Sequence, residues 1–340
     1  MRTVRTQDAV GMILCQDVTK ITKDFKGAAF RKGHIVREED VEELLNIGKY
    51  HLYVWDDYPG LVHEDDAALR LADILDGGAD NGISRGELKE GKINFYAAFD
   101  GLLKVDAEEL FKLNMIDEIM AATLHTDTPV KKSELLGGTR VIPLAIADDV
   151  LKKAEADVKK GVMRVLPFKP AKIGVVIIGT EVCEGRIKDA FGPVLLEKAA
   201  EYGCAAAGTE TVPDDADKIA AAVGRYIDDG CGIVFCAGGM SVDADDLTPA
   251  AIKQVCGELV TYGSPILPGA MFLLAYKGGA AVMGLPGCVM HSKRTALDLV
   301  LPRVLAGERL TKSDIARYGH GGQCRGCGVC VFPACGFGKA

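Results

Sequence analysis

From Lys172 onward the chain alternates short aliphatic runs with amphipathic stretches, a strand's length against a helix's length, and few folds accept that rhythm. Residues 173–178 are an almost unbroken aliphatic run, which is how a strand reads when both of its faces are covered. Residues 189–202 read as a helix and 205–212 as a strand. Pro213-Asp214-Asp215 then opens a helix with apolar positions at Ile219, Val223 and Ile227, so Asp214 or Asp215 is its N-cap. Another strand follows at 233–237, and Thr248-Pro249 puts proline in the first turn of the next helix. Strands near 272–276 and 280–283 lead to a closing helix over 290–305. The expected fold is α/β, a doubly wound and mostly parallel sheet preceded by smaller β-rich and α+β modules.

In such a sheet, ligands sit beyond the carboxyl ends of the strands, where the strand order reverses. Four loops occupy that edge: GTEVCEGR after the first strand, VPDD after the second, GGMSVDADD after the third, and GLPGCVMHS after 280–283. The third is the richest. Gly238 and Gly239 let the backbone turn with positive φ and bring N–H groups close to a ligand. Asp243, Asp245 and Asp246 add hard oxygen ligands of the kind Mg²⁺ prefers. A plainer reading leaves Asp214 and Asp215 as helix caps and Glu181 as a solvated loop residue.

The 340 residues, 48% hydrophobic and 26% charged, suit two or three domains with full-sized cores. A formal net charge of −8 leaves no basic stripe for phosphates and excludes non-specific nucleic-acid binding. An anionic ligand then needs local help from helix N-termini, a metal or a few basic side chains. Nowhere do about eighteen uninterrupted apolar residues occur, and the start MRTVRTQDAV has no apolar core, so no membrane contact and a cytoplasmic location are expected. Seven of the eleven cysteines are scattered singly through apolar surroundings, while four crowd the last seventeen residues. That contrast points to a reducing compartment and a metal site in the tail, against a disulfide framework.

Residues 1–57 read as a small β-rich module, with strands at 11–18 and 51–55 and a helix that begins near Arg37 or Glu38 and stops at Gly48. Tyr58-Pro59-Gly60 marks a boundary. The α+β middle, 58–168, is read as an acidic-capped helix at 64–75, an exposed loop at 77–91, strands in KINFYAAF and LLKV, a helix at 107–123, a strand at 141–146 and a helix at 148–160. His125 is a lone histidine and takes no role. The α/β domain spans 170–310, and 311–340 form a cysteine-rich tail.

Taken in order, Gly179-Thr180-Glu181-Val182, VPDD at 212–215, GGMSVDADD at 238–246 and Gly284-Leu285-Pro286-Gly287 match a known set of motifs in sequence and spacing. The segment 172–308 resembles the molybdopterin-binding domain shared by the MoeA and MogA proteins of molybdenum cofactor biosynthesis. The strand in YHLYVW and the glycine-ended helix before it look like the module preceding this domain in MoeA. The resemblance implies a pterin ligand, molybdopterin or its adenylate, whose phosphate or pyrophosphate is met by backbone N–H groups. Gly179, Thr180, Gly238, Gly239, Gly284, Pro286 and Gly287 would line that site, with Ser241 bonding the phosphate or the pterin. Glu181, Asp214 and Asp246 would be the catalytic acids, holding Mg²⁺ that neutralises pyrophosphate and orients molybdate. Family relatives assemble through these domains, so a homo-oligomer is expected.

Several positions depart from the MoeA pattern. Leu267-Pro268-Gly269-Ala270-Met271 stands where that family has a stretch with two lysines, Asp243 replaces a glycine, and Cys288-Val289 replaces asparagine and proline. The tail, which those families lack, ends in CRGCGVCVFPACGFGKA. Cys324, Cys327, Cys330 and Cys335 have the spacing C-x2-C-x2-C-x4-C, and the first three match the start of a ferredoxin run. Structural zinc uses two C-x2-C pairs with a longer insert, so an iron–sulfur cluster is favoured, with zinc as the alternative and His320 as a candidate fourth ligand. Two functions stay open. One is an enzyme, a molybdopterin adenylyltransferase or molybdenumtransferase. The other is a non-catalytic carrier, sensor or chaperone for a molybdenum enzyme, with the tail as its docking or redox element.

Overall fold

The computed structural model describes residues 2–55, 60–78, 80–241, 243 and 246–339. Two compact units emerge, one of residues 1–98, 105–124 and 133–164, the other of 99–104, 125–132 and 165–340. The boundary expected at Tyr58-Pro59 falls outside the described residues.

In the first unit, strand Arg2–Arg5 pairs antiparallel with His51–Val54, and Val18–Ile21 pairs with Lys26–Phe30. Helix Asp40–Asn46 contributes Leu44 to a core shared with Leu14, Phe30, Val36 and Leu52. The expected strand at 11–18 is mostly irregular, held by single bridges at Ile13 and Leu14. A four-stranded sheet runs in the order Ile83–Arg85, Lys92–Ala97, Leu135–Val141, Ile119–Thr123. The helix Glu64–Asp76 is capped by His63, whose ring accepts the Asp65 N–H, and Glu64, Asp65 and Asp66 occupy its first turn. The helix expected at 107–123 ends at Asn114. Beyond it, burial alternates along Ile119–Thr123, and the Asn114 amide bonds both backbone groups of Ala121. Those seven-residue-distant bonds and the period of two favour a strand over continued helix.

The second unit carries the doubly wound sheet. Its strands are β1 (Lys172–Ile178), β2 (Ala205–Val212), β3 (Ile233–Ala237), β4 (Glu258–Tyr262), β5 (Leu273–Lys277) and β6 (Ala280–Leu285). They lie in the order β2-β1-β3-β6-β5-β4. The first four are parallel, and β5 pairs antiparallel with both β6 and β4. The aliphatic run of β1 is explained by its two faces. Ile173, Val175 and Ile177 enter one core, and Val176 and Ile178 enter the other. Each such fully buried side chain contributes about 1.5–3 kcal/mol. Helices α1 (Phe191–Ala200), α2 (Ala216–Asp228), α3 (Thr248–Val255), α4 (Ala296–Leu305) and α5 (Lys312–Arg317) follow. Residues of α1, α4 and α5 pack in the first of those cores, and residues of α2 and α3 in the second.

Two elements differ from expectation. Strand β4, with exposed Glu258, Leu259 and Tyr262, escaped notice because an antiparallel edge strand lacks the continuous apolar signature of its parallel neighbours. The closing helix starts later, at Ala296, where Thr295 and Asp298 form a capping box; residues Gly287–Met290 are a separate 3₁₀ turn. The tail is part of the fold. Leu310, Ile315, Tyr318 and Phe337 are buried in the same core as β1 and α4, with Cys324, Phe332 and Cys335 packed against it. Among the described residues no helix is long and apolar enough to cross a membrane.

Candidate functional site

Because β2, β1, β3 and β6 are parallel neighbours, the four motif loops leave the sheet at one edge. The chain passes from β1 to β2 on one side and then to β3 on the other, so the switch point lies between β1 and β3. Asp214 sits there. Its Oδ2 accepts the Thr180 N–H at 2.8 Å and the Thr180 hydroxyl at 2.9 Å, and the Asp214 N–H donates back to Thr180 Oγ1 at 3.1 Å. Asp215 caps α2 by accepting the N–H groups of Asp217 and Lys218. The pair therefore divides its work, and Asp214 is free of the helix. Among the described residues nothing hydrogen-bonds its Oδ1.

The third loop closes onto the same place. Gly238 has φ +103°, and a Cβ there would stand 2.0 Å from the carbonyl oxygen of Ile178. Gly239 has φ +57°, and a Cβ on it would meet Thr248 Oγ1 at 2.8 Å and Asp214 Oδ1 at 3.7 Å. No side chain fits at either position, so the backbone of the third loop lies directly against the end of β1 and the start of α3. Thr248, fully buried at the start of α3, donates its hydroxyl to the Gly238 carbonyl at 2.8 Å. Gly284, at the end of β6, makes room for buried Met240, whose sulfur would lie 2.7 Å from an added Cβ.

The other expected site residues divide. Gly179 is buried at the end of β1, Thr180 and Glu181 are exposed, and the Glu181 carboxylate lies next to Gly179. Ser241 is exposed at the rim, Pro286 is half-buried and Gly287 exposed. Asp246 turns back on its own loop, its Oδ2 accepting the Asp243 N–H at 2.9 Å. Asp245 lies outside the described residues. Among the described residues no three His, Cys, Asp or Glu side chains are arranged to hold a metal ion, so Glu181, Asp214 and Asp246 form no preformed cage. Desolvation and then the Asp214 carboxylate push the exposed Cys183 thiol up from its ordinary value.

Tyr262 at the end of β4 was missed with its strand. Its hydroxyl lies 3.1 Å from the Met240 carbonyl and 3.0 Å from that of Ser241, which pins the third loop. Burial and then the Asp246 carboxylate raise its pKa, so it remains a donor. Tyr262→Phe loses that anchor. The expected result in a denaturant titration is a loss of about 1 kcal/mol, with a loop more open to proteolysis.

Residues 174–306 match the family described as "Probable molybdopterin binding domain". That segment contains almost all of the doubly wound sheet and all four motif loops. Residues 3–56 match a separate domain family of unknown function. A molybdopterin molybdenumtransferase of Synechococcus elongatus is 24% identical over 64% of this chain and 56% of its own length. A CinA-like protein of Mycobacterium avium is 35% identical over 26% of this chain and 21% of its own. The chain thus spans about half the length of the first and a fifth of the second. A solved tungsten cofactor synthesizing protein MoaB of Pyrococcus furiosus superposes with a TM-score of 0.35 and 21% identity, over 40% of this chain and 93% of that one. The Thr180–Asp214–Gly239 junction, the two glycines of the third loop and Gly284 all lie inside the segment that matches this family.

Proposed function

We propose that this domain binds molybdopterin or its adenylate, with the phosphate or pyrophosphate at the Thr180–Asp214–Gly239 junction, and that the protein serves molybdenum cofactor biosynthesis in the cytoplasm. The observation that carries the reading is the convergence of three strand-end loops on Asp214 at the switch point. The glycines bring backbone close to an anion without a Cβ in the way, and Ser241 offers a hydroxyl at the rim. Mg²⁺ fits this donor set. It keeps several waters and takes one or two carboxylates plus phosphate oxygens, so Asp214 Oδ1 with Asp246 or Glu181 is enough without a cage. When bound, the ion neutralises the pyrophosphate and polarises its phosphorus–oxygen bonds. A homo-oligomer and a molybdenum-enzyme partner belong to the same reading.

Whether the protein turns over its ligand or carries it depends on the stretch 267–271. It lacks the two lysines, and the backbone of Leu267 is tied on both sides by the tail, to Gly322 at 2.8 Å and Cys324 at 2.7 Å. That favours a carrier, with adenylylation or molybdate insertion as the catalytic alternative. Adenylylated molybdopterin with molybdate and Mg²⁺ tests insertion by release of AMP, molybdopterin with ATP and Mg²⁺ tests adenylylation by release of pyrophosphate, and a carrier gives neither. Asp214→Ala is expected to weaken molybdopterin binding in Mg²⁺ by about 2 kcal/mol, roughly thirtyfold. Without Mg²⁺ the difference shrinks, since the carboxylate no longer has a cation to hold. An unchanged affinity in Mg²⁺ would remove Asp214 from the site.

A further inference from the structure

The four tail cysteines do not trail away from the fold. Cys324, Cys327, Cys330 and Cys335 all line one cavity of about 450 Å³. We propose that this cavity is an iron–sulfur cluster site with those four thiolates as its ligands, built against the strand edge of the molybdopterin-binding domain.

Four observations carry it. The first is the donor set: all four thiols are free, and all four reach one cavity. A multi-iron core is held by thiolates lining a cavity, and these four line one. The second is charge. A cluster with four thiolates is an anion, and in a chain of net charge −8 this wall includes Lys293, Arg294 and Arg325 and no aspartate or glutamate. The third is an unmet donor. Arg294 is committed through one terminal nitrogen to Glu201 and Asp298, yet its buried Nε has no hydrogen-bond partner, and an N–H beside a cluster's sulfurs is how proteins orient and tune such groups. The fourth is rigidity. The cavity's apolar wall includes Phe332 and buried Phe337, and the Cys324 N–H is fixed to the Leu267 carbonyl at 2.7 Å. The fourth ligand is thereby assigned. Cys335 shares the cavity with the other three, whereas the wall's histidine is His291 and His320 is exposed elsewhere.

The test uses the full chain, purified without oxygen, incubated with ferrous iron and sulfide, and desalted. The expected result is about four iron and four acid-labile sulfide per chain, with thiolate-to-iron absorption in the visible. Cys327→Ser, at an exposed position that does not support the core, loses most of the iron while its thermal unfolding without metal is unchanged. Iron uptake by the wild type no greater than by Cys327→Ser overturns the proposal. So does stoichiometric zinc retained in preference to iron with no sulfide. No pterin is present in this measurement, so the cluster site and the pterin site can fail independently.

Discussion

Asp298→Ala is expected to destabilise the second unit by about 3–5 kcal/mol, because it strands a buried cation. Asp298 is 3% exposed and Lys198 6%. The Lys198 ammonium lies 2.8 and 2.9 Å from the two carboxylate oxygens, which also accept the Arg294 guanidinium at 2.9 Å and the Thr295 N–H at 2.7 Å. One carboxylate thus neutralises a lysine, holds an arginine of the cysteine cavity and caps α4. Alanine removes all three functions at once. Replacing both charges, Lys198→Met with Asp298→Leu, is expected to recover the part of the loss due to the stranded lysine, while the Arg294 contact and the α4 cap stay lost. Denaturant titrations of the two single variants and the double give the comparison, and equal stability of Asp298→Ala and the wild type would show that the pair is idle.

Gly238→Ala is expected to cost about 3 kcal/mol and to abolish pterin binding. The methyl group would stand 2.0 Å from a backbone oxygen of β1, in a conformation of φ +103° that side chains rarely adopt. A left-handed residue costs roughly 1–2 kcal/mol and overpacking roughly 1–3. The clash is with backbone, so no rotamer change relieves it. β1 and β3 must separate at the switch point, where Asp214 meets Thr180 and Gly239. Thermal unfolding reports the first effect and a ligand titration the second. Gly257→Ala is the control, because it lies outside the motif loops and open space surrounds an added Cβ there.

The sheet was legible in the sequence because parallel strands covered on both faces cannot hide their aliphatic runs, and because glycine and acid recur where each strand ends. The 173–178 and 233–237 runs fall within β1 and on β3, and Pro249 opens α3 as its position implies. Elements set by longer-range bonds were not legible. Strand Ile119–Thr123 depends on the Asn114 amide, and β4 on its pairing with β5, neither of which leaves a local signature. At the site, motif order brought out Thr180, Asp214, Gly238 and Gly239. It gave no means of seeing that Asp215 alone caps α2, that Asp246 bonds its own loop, or that Tyr262 pins that loop from another strand. A hydroxyl that bonds distant backbone carbonyls is invisible to any spacing rule.

The central claim is that the Thr180–Asp214–Gly239 junction receives the phosphate end of a pterin. Equilibrium titration of the anaerobic protein with molybdopterin released from a molybdenum enzyme, followed by pterin fluorescence with and without Mg²⁺, tests it most directly. The expected result is saturable binding that Mg²⁺ strengthens in the wild type and barely changes in Asp214→Ala. Absence of saturable binding by the folded wild-type protein, or a Mg²⁺ effect of equal size in both proteins, would contradict it.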